Sequence, residues 1–127
     1  MYTPDNIDSI KPNEVFVYGA NEAGIHGAGA AALAIKWGAV IGQYGFNGQT
    51  YGIPTKDRYI RTLPLYIIKR HAKAFICFTE SRSDLIFLIT KIGCGLAGYN
   101  NEQIAPMFRD RPSNCALPKE WVDILNN

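Results

Sequence analysis

The chain has 127 residues, 47% of them hydrophobic and 19% charged, which suits a single soluble domain with a real core and leaves too little for two. A net charge of +2 with no basic block gives no reason to expect a nucleic-acid partner, and no apolar run approaches bilayer-spanning length. The opening MYTPDNIDSIKPNE is polar and holds Pro4 and Pro12, unlike a signal peptide, so no membrane partner and a cytoplasmic location are expected. Cys77, Cys94 and Cys115 are odd in number and widely spaced. Even with His26 and His71 they supply neither a disulfide framework nor a zinc ligand set, so no metal and no cofactor are expected.

In chain order, Glu14 to Tyr18 is a β-branched and aromatic run bounded by Pro12-Asn13 and Gly19, which predicts a buried strand. The alanine-rich stretch from Gly27 to Trp37 predicts a closely packed helix, stopped at Gly38. Asn47-Gly48 predicts a tight hairpin turn, with Thr50 to Pro54 as its sheet strand. Asp57 to Arg61 reads as an exposed loop, and Thr62 as the cap of a helix with Leu63 and Pro64 in its first turn. Leu65, Ile68, Ala72, Phe75 and Ile76 recur at helical spacing, carrying an amphipathic helix to about Glu80.

Leu85 to Thr90 is the strongest strand signal, its unbroken hydrophobicity predicting a central parallel strand buried on both faces. Asn100 and Gln103 have capping-box spacing, opening a helix with Ile104, Met107 and Phe108 buried and an end near Arg111-Pro112. Cys115 to Leu117 predicts a short strand, and Pro118 to Leu125 a terminal helical turn or two held by Trp121 and Leu125. Strands alternate with helices, so the expected fold class is α/β, a mostly parallel central sheet with helices on both faces in one domain over 1–127.

Two glycine-rich stretches carry the functional signal. Residues 19–31 read GANEAGIHGAGAA and residues 92–99 read IGCGLAGY, each following a strand. In an open parallel sheet ligands bind at the carboxyl ends of the strands, and glycines let backbone amides approach an anion closely. Two such loops on neighbouring strands suit a diphosphate held from both sides. A Walker-type loop is absent, because no Lys-Ser or Lys-Thr pair occurs. In the first loop Gly24, Gly27 and Gly29 reverse the dinucleotide-fingerprint spacing, with no acidic residue at the expected distance.

A strand leading to Asn21, then HGAGAA opening a helix, then a strand leading to IGCGLAGY, resembles a macro domain over about Val15 to Phe108. The nearest flavour is the macro-type terminal ADP-ribose glycohydrolases, through YGIPTKD (Tyr51 to Asp57) and IGCGL (Ile92 to Leu96). The resemblance implies a macro-like domain that binds an ADP-ribose-type small molecule or an ADP-ribosylated target. The first loop would lie beside the distal ribose and the second around the diphosphate. It also places Lys56 at the lysine that attacks the ribose anomeric carbon. This sequence has Ala97 where that family has an aspartate, and Asp57 is the neighbouring carboxylate that could stand in.

The resulting candidate catalytic residues are Lys56 and Asp57. The candidate ligand-binding residues are Gly19, Asn21, His26, Gly27, Ala28, Gly29, Gly93, Cys94, Gly95, Leu96, Ala97, Gly98 and Tyr99. Several have plainer alternatives. Asn21 suits ribose hydroxyls or a post-strand turn. His26 suits a phosphate contact, a proton carrier or an ordinary loop position. Cys94 suits a nucleophile or a small residue in a tight loop. Tyr99 suits a ligand ring or core closure, and Lys56 an exposed loop charge. Three functions follow: ADP-ribosyl hydrolysis through Lys56, non-catalytic binding favoured by Ala97, and a phosphatase acting on a phosphorylated ADP-ribose through His26 or Asp57.

Overall fold

The computed structural model describes residues 1–27 and 29–127. Its centre is β1 (Glu14–Asn21), which runs parallel to β3 (Thr50–Lys56) on one side and β4 (Ile86–Ile89) on the other. The antiparallel β2 (Gly45–Asn47) and the parallel β5 (Cys115–Ala116) complete a five-stranded sheet ordered β2-β3-β1-β4-β5. The fold is α/β with a mostly parallel sheet. Held there by its pairing with β3, β1 runs three residues beyond the predicted Tyr18.

Alternation along β1 supplies both halves of the core. Val15 and Val17 face a large cluster that includes Ile53, Phe75, Phe87, Phe108 and Trp121. Phe16, Tyr18 and Ala20 face a smaller cluster with Ala34 and Ala39, against which Trp37 packs. The first face is covered by α2 (Leu65–Glu80), α3 (Asn101–Ile104) and α4 (Lys119–Leu125), the second by α1 (Gly29–Ala34). A strand buried on both faces has no room for polar alternation, which is why these runs read as continuously apolar.

The alanine-rich segment divides into α1 and a 3-10 turn over Ile35–Trp37 that stops at a left-handed Gly38. In the hairpin the two loop residues are Gly48 and Gln49, because Asn47 pairs with Thr50 as the last residue of β2. The register between β1 and β3 slips after Ala20, pairing it with Pro54 but Asn21 with Lys56. Such a slip re-aims the side chains beyond it. Pro54 lies past the last residue of β3 paired to β2, where its missing N–H costs no ladder bond.

In α2 the buried residues Ile68, Ala72, Phe75, Ile76 and Thr79 follow the predicted spacing, but the helix starts at Leu65. Pro64 occupies its cap position without a side-chain hydrogen bond. Thr62 is therefore no helix cap: its hydroxyl donates to the Ala97 carbonyl (3.1 Å), fastening this segment to the second glycine loop. The capping box forms as expected, Asn100 Oδ1 accepting from Gln103 N (2.9 Å) and Gln103 Oε1 from Asn100 N (3.0 Å). After Ile104 the helix tightens into a 3-10 turn over Ala105–Phe108. Trp121 stacks on Phe108 and donates its indole N–H to Asn101 Oδ1 (2.8 Å). Residues Tyr2 and Thr3 lie along the outer side of Leu117, Thr3 N donating to its carbonyl (2.8 Å). Among the described residues no helix is long and apolar enough to cross a membrane.

Phe75 is fully buried and meets Tyr51, Phe87 and Phe108 edge-on, so α2 hangs on it. Phe75→Ala is expected to lower unfolding free energy by about 3–5 kcal/mol, read from the midpoint of a urea titration.

Candidate functional site

Because β3, β1 and β4 are parallel, their carboxyl ends emerge at one side of the sheet, and the segments that follow them enclose a cleft of about 440 Å³. Of the residues singled out in the sequence, Gly19, Asn21, Gly27, Gly29, Lys56, Gly93, Gly95, Leu96 and Ala97 line it. Both glycine loops and the lysine therefore meet in one place. His26, Asp57, Cys94, Gly98 and Tyr99 stand outside the lining, and Ala28 lies outside the described residues.

The first loop is shaped by Asn21. Its Oδ1 accepts from Ala23 N (3.1 Å) and Ile25 N (3.0 Å), while its Nδ2 donates to the Ile25 carbonyl (2.8 Å). The amide thus folds the chain over the end of β1, which is the turn role. Gly24 sits at φ +69° with its backbone against Gly42 and Gln43, where an added Cβ would come within 2.3 Å of Gln43 N. It is a packing glycine. Gly27 and Gly29, by contrast, border open space.

His26 braces the same loop from behind. Its Nδ1 lies 2.7 Å from the Gly24 carbonyl, which can only accept, so Nδ1 carries the proton. Burial pushes the Tyr18 hydroxyl up to about 12, so it stays protonated and donates to His26 Nε2 (2.9 Å). Both ring nitrogens are thereby occupied.

The second loop turns at Gly93 (φ +75°), where a side chain would press on Ile104 at 3.0 Å. Tyr99 closes it, its amide donating to the Gly93 carbonyl (2.9 Å) and its hydroxyl to the Leu63 carbonyl (2.6 Å). Among the described residues the amides of Gly95, Leu96 and Ala97 donate to no protein acceptor. Three consecutive amides with no acceptor among the described residues, beside a cleft, suit an anion. Cys94 turns the other way, packing against the main core, and burial pushes its thiol up rather than activating it.

Lys56 ends β3 opposite Asn21 and takes part in no ion pair among the described residues. Asp57 is committed elsewhere. Its Oδ1 accepts from Tyr59 N (2.8 Å) and Arg61 N (3.0 Å), and its Oδ2 pairs with Arg61 Nε (3.0 Å). These bonds hold the Asp57 carboxyl below its ordinary range, the Arg61 amide contributing most. Among the described residues no carboxylate side chain lines the cleft.

The candidate list drawn from the sequence lacks the lining residues Ala20, Ile25, Ala30 and Ala31 beside the first loop, and Thr55, Ile60, Thr90, Lys91 and Ile92. Thr90, Lys91 and Ile92 directly follow the strongest strand, and the strand-end rule would have included them. The second loop also carries the Gly-x-Gly-x-x-Gly spacing at Gly93, Gly95 and Gly98. It opens only the four-residue α3, and the end of the next strand carries Leu117-Pro118 rather than an acid. The spacing is thus present with a shorter helix than the dinucleotide fingerprint uses, and the first acid after β5 is Glu120, which lines the recess beside the cleft. Ile60 had no local signal at all.

A second recess of about 750 Å³ adjoins the cleft and shares Gly29, Ala30, Thr90 and Lys91 with it. Its walls include Asp5, Asn6, Asp8, Phe16 and Glu120, and Lys91 forms an ion pair with Glu120. Among the described residues no group of three or more His, Cys, Asp and Glu is placed to hold a metal. No protein-family model matches the chain, and no curated protein or solved structure matches it. Function is therefore read from the cleft itself.

Cys77 is exposed, whereas burial pushes the Cys94 thiol up and the Cys115 thiol up to about 11. A thiol reagent at neutral pH is expected to label Cys77 first, with Cys94 and Cys115 reacting far more slowly; mass mapping of the labelled peptides checks the order.

Proposed function

We propose that the cleft binds ADP-ribose or a closely related ADP-ribosyl nucleotide, as a macro-like domain would. The observation that carries this reading is the convergence of both glycine loops and Lys56 on one cleft at the carboxyl ends of three parallel strands. The amides of Gly95, Leu96 and Ala97, which have no acceptor among the described residues, supply donors for a diphosphate, and Lys56 supplies the cation. The adjoining recess gives room for the rest of a dinucleotide-sized ligand. Its Asp5 and Asp8 carboxylates suit the exocyclic amine of a base, and the Asn6 amide suits a ring nitrogen, a set that fits a base better than a phosphate.

The absence of a carboxylate from the described lining favours binding without turnover. Attack by Lys56 on an anomeric carbon requires a neutral amine and a group to move protons, and Ala97 and the committed Asp57 leave no carboxylate for that task. The placement of Lys56 itself favours hydrolysis as the second reading. The phosphatase reading has less support, since both nitrogens of His26 are already hydrogen-bonded.

Isothermal titration with ADP-ribose should give a saturable heat with a Kd tighter than about 100 µM, corresponding to more than about 5 kcal/mol of binding free energy. No heat at high micromolar ligand would overturn the reading. Lys56→Ala should weaken that binding about tenfold or more, through loss of a charge-assisted contact.

On an ADP-ribosylated peptide the wild-type protein is expected to release no ADP-ribose over a long incubation, followed by chromatography. Release that Lys56→Ala abolishes would instead establish the hydrolase.

A further inference from the structure

Ile60 is the one non-glycine residue among those described with a positive φ, at +63°. A β-branched side chain in the left-handed region is a genuine outlier, because its branched Cβ crowds the backbone there. Glycine or asparagine would occupy the position without that conflict. Nor is Ile60 forced into place by burial. It is 42% exposed, so no core gains from the isoleucine. Its one distinctive environment is the cleft, which it lines together with Leu96, itself 83% exposed.

The neighbouring bonds explain how the strained residue persists. The Ile60 amide donates to the Asp57 carbonyl (3.0 Å), and the Asp57 amide to the Arg61 carbonyl (2.8 Å). The Asp57 carboxylate grips the amides on either side of Ile60, those of Tyr59 and Arg61, and Arg61 lies over the Tyr59 ring at 5.0 Å. The base of this small hairpin is closed where Lys56 bridges Thr62. Thr62 then bonds to the Ala97 carbonyl, which fixes the hairpin to the second loop next to Leu96. Local strain that the surroundings over-determine is a mark of ligand clamps.

We propose that Ile60 is a specificity-determining clamp: with Leu96 it covers the C–H face of the sugar that reaches the Lys56 end of the cleft. Asp57 is the positioning residue that holds it there. The proposal rests on the ADP-ribosyl reading of the same cleft and adds to it the part of the ligand that is selected. Phosphates meet amides and a cation, which any nucleoside diphosphate satisfies. An apolar surface beyond them, against which the C–H face of a terminal sugar can pack, favours a ligand that has that sugar, and Ile60 and Leu96 supply such a surface.

The test titrates ADP-ribose and ADP, which lacks the terminal ribose, against the wild-type chain, Ile60→Gly and Ile60→Asn. Both substitutions suit a positive φ and remove the apolar surface. The wild type is expected to prefer ADP-ribose. Each variant should bind ADP-ribose about tenfold more weakly and ADP unchanged, with a thermal midpoint no lower than wild type. Equal weakening of both ligands, or of neither, overturns the clamp while leaving the binding reading intact. So does a lowered midpoint in both variants with the ADP-ribose preference retained, which assigns Ile60 to the fold. Failure of the wild type to bind either ligand overturns the binding reading and the clamp with it.

Discussion

β1 is paired with β3 over Phe16–Asn21, with β4 over Glu14–Val17, and is buried on both faces, and this constraint sets where the cleft can form. A strand so enclosed can meet solvent only at its ends. Because β3 and β4 run in the same direction, the segments leaving β1, β3 and β4 emerge side by side. Residues more than thirty positions apart in the chain, Asn21, Lys56 and Gly93, thereby come to share one cleft. The slip in register at the end of β1 adds the last adjustment, setting Lys56 rather than Thr55 opposite Asn21.

The walls of the cleft are held to different degrees. On one side, Thr62 and Tyr99 tie the 57–63 segment to the second glycine loop through the Ala97 and Leu63 carbonyls. On the other, the first loop is ordered chiefly from within, by Asn21, and from behind, by His26 and Gly42. Residues that looked chemical in sequence thus serve as scaffold. Asn21 spends its polar atoms on nearby backbone, His26 on the Gly24 carbonyl and the Tyr18 hydroxyl, and Asp57 on two amides and the Arg61 guanidinium, so none of the three is left free to face the cleft.

Much of the fold was legible because it depends on short-range pattern. The continuous apolar runs gave β1 and β4, the three- and four-residue spacing gave α2, and the Asn100–Gln103 pair gave the start of α3. Errors arose where a long-range bond competed with a local one. Thr62 has the right spacing for a helix cap, yet its hydroxyl goes to a carbonyl 35 residues away. The direction of a loop side chain is equally hidden. Cys94 and Leu96 are two positions apart, and only the second lines the cleft. Ile60 was invisible, since an unremarkable isoleucine in a polar loop acquires meaning only from its backbone angle.

The residues that accompany the outer strands have a further effect. A parallel sheet left open at its sides presents unpaired N–H and C=O groups on which another chain can build. Here β2 has three residues and begins with Gly45, and β5 has two. Beyond β5, Tyr2 and Thr3 take up the position where a foreign strand would pair, Thr3 already bonded to Leu117. The sheet is therefore poorly suited to templating its own aggregation, and the strongly apolar β1 and β4 are kept at its centre.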